Sequence, residues 1–165
     1  MRALFVGINP GIRSAQTGHH FAGYSNRFWN LLFESGLVPE RVTAADDRRL
    51  PGWGYGVTNL IARPTPGIDT LRLDEYITGA RVLRRKVRRW NPPVVALVGV
   101  TLYRSLFPKA SRTSPVLGLR EEFFEGAHLF VLPNPSGRNA NYSYAEMRSA
   151  FVDLRHFLVA KKDQR

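Results

Sequence analysis

Residues 4–11 read Leu-Phe-Val-Gly-Ile-Asn-Pro-Gly, and residues 130–139 read Phe-Val-Leu-Pro-Asn-Pro-Ser-Gly-Arg-Asn. Each is an apolar run that breaks into a tight loop of Gly, Pro, Asn and Ser. Short apolar runs bounded by turn residues predict buried strands. In open α/β sheets, sites lie outside the carboxyl ends of the strands. Two polar loops leaving two strand ends can therefore face one pocket. Neither loop has a Walker A or GxGxxG pattern, so no nucleotide cofactor is expected.

The rest of the chain alternates between strand and helix patterns. Ala3–Val6 reads as the first strand. A helix is predicted from Ser25 to about Ser35, capped by Ser25 or Asn26 and carrying Phe28, Trp29, Leu31 and Leu32. Pro51–Gly56 reads as turn, Val57–Ile61 as a short strand and Arg63–Gly67 as a Pro- and Gly-rich loop. A long helix is predicted over Leu73–Trp90, ended by Pro92 and Pro93, before an all-apolar strand Val94–Val98. Thr101 can cap a short helix through Phe107. Glu122–Phe124 and Leu129–Leu132 flank Gly126 as a hairpin or as two adjacent strands, and a last helix covers Ser143 to about Ala160. The pattern predicts an α/β fold: one three-layer αβα domain over residues 1–165, with a central, mostly parallel sheet.

The chain has 165 residues, 44% hydrophobic and 22% charged, an ordinary globular composition. It carries 24 basic and 13 acidic residues, a net charge of +11. That excess fits a polyanionic partner, because each neutralised phosphate releases counterions. Absence of cysteine excludes disulfides, iron–sulfur clusters and thiolate zinc sites. His19, His20, His128 and His156 show no ligand spacing, so no metal is expected. No signal-peptide pattern and no run of 18 apolar residues is present, so the expectation is a cytoplasmic protein with no membrane partner.

Tyr76, Ala80, Leu83, Val87 and Trp90 should form the apolar face of the long helix. Arg81, Arg84, Arg85, Arg88 and Arg89 fall opposite, as a solvated face or a phosphate-tracking stripe.

Asn9 leaves the first strand and is held extended by Pro10. An amide fixed there can hold a water molecule but cannot act as a strong base. Its purely structural role would be an Asx-turn. Phe21, beside His19 and His20 in a following loop, can stack a base. Arg138 lies in the loop Pro133–Asn139, between a buried strand and the last helix, and can reach outward to a duplex.

Four segments carry a resemblance. They are Gly7–Gly11; Gly18–Phe21 with Asn26–Trp29; Gly56–Leu60 with Arg63–Gly67; and Asn134–Gly137. In this order, across almost the whole chain, they resemble the mismatch-specific uracil/thymine-DNA glycosylase family of the uracil-DNA glycosylase superfamily. The resemblance implies a uracil-DNA glycosylase-like fold and hydrolysis of the N-glycosidic bond of flipped uracil, or thymine, opposite guanine. It implies that Asn9 positions the attacking water and that Ile8, His20, Phe21, Asn59 and Thr65 line the base pocket. It implies that Ser136, Gly137, Arg138 and Asn139 bind DNA, with Arg138 as the wedge. Bacterial members carry Leu there, so Arg138 adds hydrogen-bonding capacity towards the orphaned guanine or a phosphate.

Asp69 and Asp74 follow a pocket loop, and a carboxylate would activate water better than Asn9; each also suits the first turn of a helix. A lyase needs an activated amine. The lysines, Lys86, Lys109, Lys161 and Lys162, lie outside the candidate loops, which implies a monofunctional enzyme. The implied partner is double-stranded DNA with G:U or related mismatches, bound by a monomer without cofactors, in a bacterial-type cytoplasm and nucleoid. The alternative is a non-catalytic binder of damaged or single-stranded DNA on the same scaffold.

Overall fold

The computed structural model describes residues 1–110 and 115–164. Among these, five strands form one sheet in the order β2-β1-β3-β5-β4. The strands are β1 (Ala3–Gly7), β2 (Tyr55–Asn59), β3 (Val94–Val98), β4 (Gly118–Phe124) and β5 (Ala127–Leu132). β2, β1, β3 and β5 run parallel, and β4 closes the edge antiparallel to β5. The α/β class and mostly parallel sheet expected from the sequence are present.

Alternate strand residues serve opposite faces, as the two-residue period demands. Ala3, Phe5, Val94, Ala96, Phe130 and Leu132 pack with Phe28, Leu31 and Leu32 of α2 (Phe28–Glu34) and with Met147, Phe151 and Leu154 of α5 (Tyr144–Asp163). Leu4, Val6, Val95, Leu97, Leu129 and Val131 pack on the other side with Leu83 and Val87 of α3 (Leu73–Trp90) and with Leu102 and Tyr103 of α4 (Val100–Leu106). Helices on both faces give three layers. No described helix is long and apolar enough to cross a membrane.

Several expectations are corrected. A short helix α1 (Ile12–Thr17) follows the first loop, with no buried residue to mark it in the sequence. α2 starts at Phe28 rather than Ser25, because Asn26 turns the chain by accepting from the Phe28 N–H at 3.0 Å. Ala44–Trp53, partly read as turn, is a 3-10 helix. β2 starts two residues before the predicted Val57; the register pairs Tyr55 with Ala3, and buried Tyr55 donates its hydroxyl to the Leu37 carbonyl at 3.0 Å. Trp90 is 42% exposed instead of joining the apolar face of α3, since it ends the helix. In the arginine stripe, Arg84 and Arg88 pair with Glu125 at 3.2 and 3.1 Å.

The chain passes from β1 to β2 on one side, then returns past β1 to β3 on the other. This reversal opens a crevice at the carboxyl ends of the strands.

Candidate active site

A cleft of about 800 Å3 occupies that crevice. It is lined from the ends of β1, β2 and β3 and from the loop after β5. Ile8, Asn9, His20, Phe21, Asn59, Ser136 and Arg138 all line it. The two loops that opened the sequence reading thus meet at one site.

Asn9 is fixed by its own amide. Its Nδ2 donates to the Arg63 carbonyl at 2.9 Å and to the Thr65 hydroxyl at 2.7 Å. A backbone carbonyl only accepts, so the nitrogen must face Arg63. Thr65 is 4% exposed and gives its own hydroxyl proton to the Gly67 carbonyl, so its oxygen accepts from Asn9. The Thr65 N–H donates to the Pro10 carbonyl at 3.1 Å, and Leu60 and Ile61 donate to the carbonyls of Gly7 and Ile8. These bonds extend the β1–β2 pairing beyond the strands. Asn9 Oδ1 is left as an oriented acceptor at the cleft wall.

Arg63 anchors the far side of this loop. It forms a two-pronged pair with Glu75 of α3 at 2.7 and 2.9 Å and donates to the Thr70 carbonyl at 3.1 Å. The Arg63 guanidinium and the Arg72 backbone N–H hold the Glu75 carboxyl down to about 2.

Phe21 forms a wall of the cleft. Its φ is +50°, a left-handed conformation that side chains other than glycine rarely adopt. Both neighbours are tied down. The His20 N–H donates to Asp47 Oδ2 at 3.1 Å, the His20 carbonyl accepts from the Trp29 indole at 3.1 Å, and the Ala22 N–H donates to Ser14 Oγ at 3.0 Å. One face of Phe21 stacks on buried Phe28, centroids 4.1 Å apart. Burial lowers the His20 imidazole below its ordinary value, with Asp47 opposing and His19 assisting.

Gly7 sets the floor. A Cβ there would lie 2.7 Å from Asn59 Oδ1 and 3.4 Å from Phe21 Cζ. Only glycine lets the Asn59 amide and the Phe21 ring converge over the end of β1. The Asn59 side chain has no hydrogen-bond partner among the described residues, so its donors and acceptor remain for a ligand's edge.

Ser136 and Arg138 flank the mouth. Ser136 Oγ accepts from the Arg138 N–H at 3.2 Å. Gly137 abuts the Phe21 loop: a Cβ there would lie 2.6–2.9 Å from Ser25 atoms. The Arg27 N–H also donates to the Pro135 carbonyl at 2.9 Å.

Thr65, expected in the pocket lining, is buried beneath the cleft wall and reaches the site only through its bond to Asn9, and three further expected site residues stand elsewhere. Asn139 faces into its own loop, donating to the Asn134 carbonyl and accepting from the Asn141 N–H, both at 2.9 Å. Its amide is consumed by turn geometry. Asp69 is exposed in the 3-10 helix Ile68–Thr70, and Asp74 is exposed in the first turn of α3, paired with Arg72 at 3.2 Å. No carboxylate lines the cleft among the described residues. The expectation of an acidic activator therefore gives way to the amide.

Two residues escaped the sequence reading. Asp47, its side chain only 7% exposed, holds the His19 ring at 3.1 Å as well as the His20 N–H. It lies on the 3-10 helix, far along the chain, and no spacing pattern points to it. Trp29 reads as a core residue, and its indole N–H contact with the cleft loop has no sequence signature.

The geometry agrees with the comparisons. A family model described as the uracil DNA glycosylase superfamily matches residues 1–155. The chain is 41% identical over 148 residues to a protein of Schizosaccharomyces pombe named G/U mismatch-specific uracil DNA glycosylase. The match covers 86% of this chain and 46% of that relative, so the chain spans less than half its length.

Proposed function

The chain belongs to the uracil DNA glycosylase superfamily, and from that premise we propose that it is a monofunctional DNA glycosylase that hydrolyses the N-glycosidic bond of uracil mispaired with guanine. The observation that carries this reading is the Asn9 amide, clamped through its Nδ2 in the wall of the cleft that Phe21 and Asn59 also line.

A base extruded from the duplex enters this slot and lies against Phe21. Asn59 meets its polar edge. Asn9 Oδ1 accepts a hydrogen bond from a water and so aims the water's lone pair at the anomeric carbon of the sugar. The carbon–nitrogen bond breaks, the pyrimidine departs as an anion with the bonding electrons, the water oxygen forms the new carbon–oxygen bond, and the proton that this water sheds neutralises the pyrimidine anion. An amide is too weak a base to activate water fully. Its contribution is position, and the slot's role is to bind the departing base. The other product is an abasic site.

Among the described residues no lysine lines the cleft, and Lys86 donates to Thr58 at 2.9 Å. A covalent amine step has no candidate there. The cleft is complete within one chain, which supports action as a monomer and as one domain. The net charge of +11 supports DNA as the partner. Arg138, which lines the cleft, supports a wedge that fills the vacated position.

The test is base release from duplexes bearing uracil or thymine opposite guanine, with uracil opposite adenine and single-stranded uracil for comparison. Release of uracil opposite guanine, with strand breakage only after alkali, is expected. Absence of release by the folded protein, or breakage without alkali, overturns the reading.

A further inference from the structure

Tyr24 stands at the lip of the cleft and is 90% exposed, yet it is fixed in place. The Arg13 guanidinium lies over its ring, 3.8 Å from the centroid, and donates to its hydroxyl at 2.7 Å. Arg13 comes from α1, the helix that follows the Asn9 loop, and it too lines the cleft. Tyr24 follows Phe21 by three residues and precedes Ser25, the residue against which Gly137 packs. The ring therefore stands on the loop that adjoins the Arg138 loop.

A large aromatic left in water gains nothing for the fold. Clamping it with a cation lowers the entropy lost when a partner binds it. Extruding a base strips its neighbour of one stacking face. A ring already immobilised beside the entrance offers that neighbour a replacement. Resting on the glycosylase reading above, we propose that Tyr24, braced by Arg13, is a substrate-positioning residue that stacks on the base flanking the extruded nucleotide. The guanidinium's remaining N–H groups then face the backbone phosphate of the same nucleotide. Phe21 would serve the extruded base, and Tyr24 the base left behind.

The experiment uses a duplex with a tetrahydrofuran abasic analogue opposite guanine and 2-aminopurine on either side of it. Stacking of the probe on Tyr24 changes its fluorescence on binding. Tyr24→Ala should lose that change at one flank and weaken binding by about tenfold. Tyr24→Phe and Tyr24→Trp should restore both, because the ring face carries the contact. Arg13→Ala should fall between. Equal affinity and equal fluorescence for wild type and Tyr24→Ala overturn the proposal. So does a loss in Tyr24→Phe as large as in Tyr24→Ala, which would give the role to the hydroxyl. Uracil release by wild type is measured alongside. Failure there counts against the glycosylase reading, and the stack is then judged on binding and fluorescence alone.

Discussion

Asp47 grips His20 by its backbone: the carboxylate accepts the His20 N–H at 3.1 Å, immediately before the left-handed Phe21. The other carboxylate oxygen holds the His19 ring. Loss of a hydrogen bond to a charged group is worth about 1.5–3 kcal/mol. Asp47→Ala should reduce stability by that order and loosen Phe21, so that base release falls further than the melting temperature predicts. Asp47→Asn should recover part of both. Thermal unfolding and single-turnover release, measured on the same samples, check this. Unchanged release by a folded Asp47→Ala protein would count against the clamp.

Asn9→Ala should fold and bind DNA but release uracil at least about 100-fold more slowly, as misplaced reactants do. Thr65→Val removes one of the two acceptors of the Asn9 amide, leaving the Arg63 carbonyl, and should cost roughly tenfold by loosening the amide. Single-turnover rates decide. If Asn9→Ala stays near normal, the water is held by another group.

Phe21→Ala should lower activity on every pyrimidine by a similar factor, of order tenfold, as expected for a contact through the ring face. Phe21→Gly relaxes the strained backbone and should still lose the activity. Release measured across several bases would expose a selective loss, which would assign Phe21 to the base edge instead.

Arg138→Ala should weaken binding to an abasic duplex roughly tenfold and leave undamaged duplex nearly unaffected, because a wedge acts on the distorted state. Arg138→Leu should keep the bulk, lose the hydrogen bonds and lie between. Equal weakening on both duplexes would reduce Arg138 to a phosphate contact.

Glu75, held down to about 2 chiefly by Arg63, contributes stability that is full above the ordinary value of 4.5 and fades as pH falls towards 2. The difference in melting temperature between wild type and Glu75→Gln should be largest above pH 5 and vanish near pH 2. At neutral pH, Glu75→Gln should slow release a few-fold, since Arg63 anchors the carbonyl that orients Asn9. A gap in melting temperature that persists near pH 2 would contradict the ion-pair account.

The sheet was legible because β1, β3 and β5 are apolar runs with sharp ends, and α3 between them has a strong amphipathic pattern. β2 was displaced because Gly54 and Gly56 around Tyr55 read as turn, while parallel pairing with Ala3 recruits Tyr55. Of the site, the residues that leave a strand end were legible: Ile8, Asn9, Asn59, Ser136 and Arg138. Asn139 misled because an amide that closes its own turn reads like one that reaches outward. Asp69 and Asp74 misled because nearness in sequence to Thr65 carries no direction. Asp47, on the 3-10 helix, and the Trp29 indole, on α2, hold the cleft loop through the His20 backbone, and such contacts follow from tertiary packing alone.

The close approach of Gly137 to Ser25 joins the loop proposed to enter the duplex to the loop proposed to hold the base. Whatever fills the slot is thereby felt at the duplex, and the grip on the duplex is felt in the slot, with the reciprocity that linkage imposes. A methyl group at position 137 would lie 2.6–2.9 Å from Ser25 atoms, one of them backbone, so one loop would have to shift away from the other and their coupling should weaken.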